Sequence, residues 1–152
     1  MGLEIERKWH LKELPQFISR DLDNFKKLEI VQAYLCRRPV IRIRRENDEY
    51  ILTYKGDGYK IREEYNLPLN ENAFNDLLQK CTGSIIYKDR YIIPLENGFN
   101  AELDVFKQNY EGLILLEVEF KSEEEADSFE APLWFDKEVT GVKEYTNSYL
   151  SS

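Results

Sequence analysis

The sequence predicts an α+β domain built on eight antiparallel strands, a meander or a barrel, with helices at its ends or outside it. Three observations lead there. Apolar and polar residues alternate through eight segments, residues 3–11, 30–37, 40–46, 50–56, 61–67, 85–94, 99–106 and 113–120. Short turn signals, Asn47-Asp48, Gly56-Asp57-Gly58 and Asn97-Gly98 among them, join neighbouring segments, and tight turns make antiparallel pairs. Helical periodicity is confined to a few short stretches between or after these strands.

In a strand, residues i and i+2 share a face. The first strand puts Leu3, Ile5, Arg7, Trp9 and Leu11 on one face and Glu4, Glu6, Lys8 and His10 on the other. Residues 15–22 are a weak helix candidate. Residues 40–46 alternate Ile41 and Ile43 with Arg42 and Arg44; in 50–56 Lys55 shares a face with Thr53, and in 61–67 Arg62 shares one with Lys60 and Glu64. Asn70 then caps a helix with Phe74, Leu77, Leu78 and Cys81 on one side, and Gly83 stands just past its end. Residues 85–94 carry Lys88 and Arg90. Residues 99–106 carry Glu102 and Asp104 against Leu103 and Val105, and 113–120 carry Glu117 and Glu119 against Leu116, Val118 and Phe120. Ser122 followed by Glu123, Glu124 and Glu125 reads as a capped helix over 122–129, and 143–150 as a last, weaker one.

Length and composition narrow the functional classes. The 152 residues suit a single domain over 1–152, with no repeat and no linker. Eight Phe, ten Tyr and two Trp supply enough apolar bulk to exclude general disorder. A net charge of −8 repels nucleic acid and anionic membrane, so an anionic ligand must be held by a local basic cluster. The longest aliphatic run, 113–116, is far below the roughly 20 residues that span a bilayer. The charged N-terminus lacks a secretory pattern, and Cys36 and Cys81, without metal-ligand spacing, read as core thiols. A soluble cytoplasmic protein is expected.

The charge pattern is the functional signal. Five strands carry two like charges on one face: Glu4/Glu6, Arg42/Arg44, Lys88/Arg90, Glu102/Asp104 and Glu117/Glu119. Charged strand faces ordinarily meet water over a sandwich core. Adjacent like charges repel, however, and a merely solvated surface intersperses its signs, so these doublets call for counter-ions. Paired carboxylates suit Mg²⁺ or Mn²⁺, and paired Arg and Lys suit phosphate oxygens, which together describe a metal–polyphosphate site. In a closed barrel with these faces inward, the lumen is wet and ionic and the apolar faces need helices outside. Charge periodicity alone does not choose between closed barrel and open sheet.

The run Glu4-Ile5-Glu6-Arg7-Lys8 resembles the Glu-x-Glu-x-Lys signature of the CYTH superfamily, the triphosphate tunnel metalloenzymes. Further blocks follow that family's order across the chain: Gln32-Ala33-Tyr34-Leu35, the Arg42/Arg44 strand, Leu52-Thr53-Tyr54-Lys55-Gly56, Lys88-Asp89-Arg90-Tyr91, Glu102-Leu103-Asp104, Gly112-Leu113 with Glu117-Val118-Glu119, and Val139-Thr140-Gly141 with Tyr145-Thr146-Asn147. The resemblance implies an eight-stranded antiparallel barrel forming a tunnel, Mg²⁺ or Mn²⁺ as cofactor, and a triphosphate-bearing substrate. The pattern is most like the compact bacterial inorganic tripolyphosphatases; thiamine triphosphatases and class IV adenylate cyclases share the tunnel. Ala33 stands where a Gly is common and Asn66 where a second Glu often follows. Glu63 and Glu64 both align with an acidic position, and strand parity selects Glu64.

On this reading Lys8, Arg42, Arg44, Lys55, Arg62, Lys88 and Arg90 bind the phosphates. Glu4, Glu6, Asp104, Glu117 and Glu119 hold metal, with Glu64 and Glu102 less firmly placed. Lys8, Glu4 and Glu6 are the catalytic group, Lys8 touching the scissile phosphoryl group while a carboxylate takes the proton of the attacking water. The expected partner is a small-molecule triphosphate, tripolyphosphate or a nucleoside or thiamine triphosphate, bound by a monomer or homodimer. A non-catalytic polyphosphate-binding module is the alternative from another class, and the intact carboxylates argue against it. His10, the tyrosines Tyr34, Tyr54, Tyr59, Tyr87 and Tyr91, and the tail residues Tyr145 and Asn147 are read as structural.

Overall fold

The computed structural model describes residues 2–58 and 60–152, so Tyr59 lies outside the described residues. Eight strands form the wall of a closed antiparallel barrel: β1 (Gly2–Leu11), β2 (Lys26–Arg37), β3 (Val40–Glu46), β4 (Glu49–Lys55), β5 (Ile61–Leu69), β6 (Thr82–Pro94), β7 (Asn100–Phe106) and β8 (Ile114–Phe120). Their order is β5-β4-β3-β2-β6-β7-β8-β1, and β1 pairs back to β5 from Gly2↔Glu64 to Ile5↔Ile61, which closes the wall. Four short helices flank it: α1 (Gln16–Arg20), α2 (Glu71–Leu78), α3 (Glu123–Ser128) and α4 (Asn147–Leu150).

The apolar faces point outward and the helices cover them, as a charged bore requires. Ile5, Trp9, Leu11, Leu103, Leu116 and Val118 pack with Ile18 of α1, Ala126 of α3 and the rings of Phe129 and Phe135. On another sector Ala33 and Ile43 pack against Phe74, with Leu52 and Leu77 at the margin, beneath α2. Ala33 therefore faces away from the bore, and its departure from the family pattern falls outside the tunnel.

A third apolar cluster fills one end of the bore. Tyr34, Val40, Ile86, Phe106 and Leu115 have the strand parity of the charged residues, and they enclose Leu150 of α4. Inward faces thus change from apolar at this plug to ionic further along. The tail that delivers Leu150 is fixed by Arg37, whose guanidinium donates to Thr82 Oγ1 (2.8 Å), Thr82 O (2.8 Å) and Ser151 O (2.9 Å), and by Tyr110 Oη, which donates to Leu150 O (2.6 Å).

Several local expectations change. The helix capped by Asn70, whose Oδ1 accepts from Ala73 N at 2.7 Å, ends at Leu78, so Gly83 does not terminate it. Gly83 instead lies in β6 with φ +78°, where a Cβ would collide with the Ser151 carbonyl and the Arg37 guanidinium; the tail crosses there because the residue is glycine. Cys36 and Cys81 are free and half-buried rather than core thiols. Ser122 Oγ accepts from Glu125 N (3.0 Å), but Glu125 returns its carboxylate to Lys121 N (3.0 Å), so the capping box is displaced by one residue. The helix expected over 143–150 is broken: a 3-10 turn at Lys143–Tyr145 gives way to extended Thr146 before α4.

A two-residue strand, β9 (Lys137–Glu138), is too short to register as alternation. It pairs with Trp9 and His10 on the edge of β1 that β5 leaves open, and Glu138 makes a bidentate ion pair with the outward Arg7 (2.7 and 2.8 Å). Among the described residues no helix is long and apolar enough to cross a membrane.

Candidate active site

The bore holds a cavity of about 290 Å³. Into it β1 projects Glu4, Glu6 and Lys8; β3 Arg42 and Arg44; β4 Lys55; β5 Arg62 and Glu64; β6 Arg90; β7 Glu102; and β8 Glu117 and Glu119. Strand parity does this, since each of these residues sits an even number of positions from its partner on the same strand. Glu64 lines the cavity. Glu63 lies on the other face of β5, where Tyr65 Oη donates to it at 3.2 Å.

Two predicted residues are not at the cavity surface. Lys88 is 0% exposed and Asp104 2%, and they lie behind Arg90 as a buried ionic layer. Lys88 Nζ donates to Asp104 Oδ2 at 2.8 Å, while Arg90 Nε and Nη2 take Asp104 Oδ1 and Oδ2 at 2.7 and 2.9 Å. Both oxygens of Asp104 are thereby engaged by cations. Through these bonds Asp104, expected to hold metal, and Lys88, expected to bind phosphate, brace Arg90 from behind the cavity lining.

The like-charged doublets find their counter-ions in one another. Lys55 Nζ binds Glu4 (2.8 and 3.0 Å) and approaches Glu64 (3.3 Å); Arg62 approaches Glu4 (3.4 Å) and Glu6 (3.9 Å); Lys8 approaches Glu117 (3.2 Å). Arg90 reaches Glu102 (3.4 Å) and Glu117 (3.7 Å) besides Asp104. Acids of one strand thus meet bases of the adjacent strand or the next one along the wall, which is how the bore tolerates so much charge. Among the described residues no three of the carboxylates already surround a common point as metal ligands do.

The electrostatics remain tense. Burial, together with Glu117 and Glu4, raises the Glu6 carboxyl well above its ordinary range. Burial opposes ionisation of Glu117 too, but Lys8, Arg90 and Lys88 overcome it and hold that carboxyl well below the usual value. Partial desolvation, with Glu102, Glu4, Glu117 and Glu64 around it, pushes Glu119 up to about 7. Burial brings Lys88 down to about 7, Asp104 resisting and Arg90 and Arg44 assisting.

Among the described residues two buried polar atoms in the cavity wall have no partner, and they are of opposite kinds. Arg42 Nε is an orphaned donor, and Glu102 Oε1 an orphaned acceptor. A buried group in this state costs about 1–3 kcal/mol, so each is poised to gain from a ligand. The donor suits an anion and the acceptor a cation. The hard oxygens of Glu4, Glu6, Glu64, Glu102, Glu117 and Glu119 are the donor set that Mg²⁺ or Mn²⁺ takes, so the residues present fit the expected metal.

Sequence reasoning missed four contributors. Gln32 is fully buried and accepts from Arg44 Nε through Oε1 at 2.9 Å, and Glu46 accepts from Arg44 Nη1 at 3.0 Å. Asn66, the departure from the family pattern, accepts from Thr53 Oγ1 (2.6 Å) and donates to Glu64 Oε1 (3.0 Å), so it orients that carboxylate. Glu46 shares parity with Arg44 and Asn66 with Glu64, and that signal was available; Gln32 stands on β2, which carries none of the predicted charged residues. The fourth is the tail: Lys8 Nζ donates to Tyr145 O (3.1 Å), Lys88 Nζ donates to Asn147 Oδ1 (3.3 Å), and Thr146, Asn147 and Ser148 line the cavity. His10 stays clear of the cavity, its ring 5.3 Å from that of Tyr145.

Comparison with known proteins agrees with this architecture. The CYTH domain matches residues 2–145. An inorganic triphosphatase of Nitrosomonas europaea is 34% identical over 97% of this chain and 96% of its own. An inorganic triphosphatase of Acetivibrio thermocellus is 37% identical over 72% of this chain and 70% of its own. A crystal structure described as an inorganic triphosphatase superposes with a TM-score of 0.70 at 34% identity, covering 97% of each chain. With the Glu-x-Glu-x-Lys strand, the closed barrel and the two-signed bore all in place, the chain belongs to the CYTH family.

Proposed function

We propose that this tunnel hydrolyses a terminal phosphoanhydride of a triphosphate-bearing substrate, inorganic tripolyphosphate foremost, in a metal-dependent reaction. Water adds to the terminal phosphorus, the bridging P–O bond breaks, and tripolyphosphate yields pyrophosphate and phosphate. One observation carries the reading: opposite charges held in one enclosed cavity, with an orphaned cationic donor on Arg42 and an orphaned carboxylate acceptor on Glu102. Curated relatives that are inorganic triphosphatases support it.

Bases and acids of the bore pair with one another. A polyphosphate takes over Arg42, Arg44, Lys55, Arg62 and Lys8, whose forked or terminal N–H groups exchange carboxylate oxygens for phosphate oxygens. Arg90 is held in one orientation by Asp104 and fixes the chain of phosphates at that wall. The exchange frees Glu4, Glu6, Glu64, Glu102, Glu117 and Glu119 to hold divalent metal. Mg²⁺ or Mn²⁺ there supplies charge neutralisation and a water of lowered pKa. Lys8, between Glu117 and the tail carbonyl, neutralises charge on the scissile phosphoryl group, and one carboxylate of the Glu4/Glu6 pair receives the proton of the attacking water.

We further read residues 1–152 as one tunnel domain, monomeric or homodimeric, acting in the cytoplasm. Two free, half-buried cysteines accord with a reducing compartment. A phosphate-release assay with tripolyphosphate, thiamine triphosphate and ATP, each with Mg²⁺, Mn²⁺ or EDTA, tests the function. The expected result is metal-dependent release, fastest from tripolyphosphate and abolished by EDTA. Tight binding without turnover would leave only a polyphosphate-binding module, and cyclic AMP with pyrophosphate from ATP would make the protein a cyclase.

A further inference from the structure

Asn147 is the first residue of α4, and its side chain stands between the cavity and the buried Lys88. An amide offers one acceptor and two donor hydrogens, and its two ends are told apart by their partners. Here the partner decides. Lys88 Nζ, 3.3 Å away, donates to Oδ1, which puts the amide oxygen on its side. The opposite orientation would set N–H groups against N–H groups and forfeit that bond. Lys88 cannot turn away to relieve such a clash, because it is fully buried and tied to Asp104 at 2.8 Å.

With Oδ1 committed, Nδ2 is left with two N–H donors. Among the described residues it donates to no protein acceptor, and Asn147 lines the cavity. The backbone that carries it is equally constrained, since Arg37 holds Ser151 O, Tyr110 holds Leu150 O, and the Leu150 side chain is locked in the apolar plug. A preorganised neutral donor therefore belongs to the lining of the cavity that Arg42, Arg44 and Lys8 also line.

We propose that Asn147 is a substrate-binding residue, contributed by the tail and not by a barrel strand, whose Nδ2 donates to a phosphate oxygen while Lys88 fixes the orientation of its amide. The proposal rests on the triphosphate reading of the tunnel and adds one anion ligand to it.

The decisive variant is Asn147→Asp. It retains an oxygen for Lys88, removes both N–H donors and turns a second oxygen toward the phosphates. If Asn147 only anchored Lys88, the change would be harmless, because a carboxylate accepts from an ammonium better than an amide does. As a phosphate ligand it predicts a KM for tripolyphosphate raised on the order of 100-fold, with the ligand-free melting temperature unchanged or higher. Asn147→Ala, which brings no repulsion, raises KM roughly 10-fold and decides the matter if the Asp variant does not fold. A KM within about twofold of the parent in the folded variants overturns the proposal. Calorimetric titration with tripolyphosphate in EDTA reads the same affinity loss without turnover. Parent protein that binds but does not hydrolyse would refute the enzymatic function, while the affinity ratio would still judge Asn147.

Discussion

Arg90 and Asp104 face each other across β6 and β7 as a fork on a carboxylate, Nε to Oδ1 at 2.7 Å and Nη2 to Oδ2 at 2.9 Å. Lys88 adds a third bond to the same carboxylate, so one buried acid neutralises two cations. Asp104→Asn should therefore destabilise the fold by about 3–5 kcal/mol, the usual cost of stripping a buried charge of its partner. Chemical denaturation measures this. Adding Lys88→Met should restore a large part of the loss, and a single-variant loss below about 1 kcal/mol would contradict the assigned support role.

Arg42 is the opposite case. It is buried, and among the described residues its Nε has no acceptor and it makes none of the bore's ion pairs. Arg42→Met should leave the ligand-free protein as stable as the parent or more so, since an uncompensated charge is replaced by an apolar chain. Binding of tripolyphosphate should weaken by roughly 10- to 100-fold, the scale of a charged hydrogen bond. Paired melting and affinity measurements check both signs.

Glu117 lies between Lys8 at 3.2 Å and Arg90 at 3.7 Å and is kept ionised by them. Glu117→Gln keeps the shape and removes the charge. Metal-dependent turnover should fall on the order of 100-fold or more, the scale of losing one charge-stabilising group, while the far-ultraviolet spectrum stays that of the parent. Turnover within a few-fold of the parent would remove Glu117 from the metal set.

Glu119 gives the pH dependence. Its carboxyl is raised to about 7 in the folded protein against an ordinary 4.5, so between these values the folded state holds a proton that the unfolded state has lost. By linkage, this group makes the metal-free protein less stable as pH rises from about 4.5 to about 7, and levels off above. Urea midpoints across that range should show this slope reduced in Glu119→Gln. Because a metal needs the ionised carboxylate, adding Mg²⁺ near pH 7 should release protons, visible as a buffer-dependent heat.

The strands were legible because their alternation was strong. Extents were less so: β2 begins at Lys26 and β6 at Thr82, each earlier than the expected 30 and 85, since those ends carry mixed polar residues whose pairing is set by neighbours. Parity on single strands brought Glu4, Lys55, Glu64 and Glu117 to one cavity. It did not separate Lys88 and Asp104, at the cavity's back, from Arg90 and Glu102 beside them, because depth along a bore depends on register between strands. The tail was the least readable part. Tyr145, Thr146 and Asn147 look like an ordinary polar helix start, and only the anchorage of Arg37 and Tyr110, distant in sequence, turns them toward the lysines.

The closure of the wall has a further consequence, for the order in which the molecule is made. Strands β2 to β5 and β6 to β8 are each joined to the next along the chain, so two meanders form from local contacts. The strand β1 has no such neighbour: its partners are β5, the short β9 and, through Lys8↔Glu117, the distant β8. Pairings of large sequence separation form late, after the loop entropy between them has been lost. The strand bearing Glu4, Glu6 and Lys8 is thus held by long-range pairings alone, and the charged bore is complete only when that stave is seated.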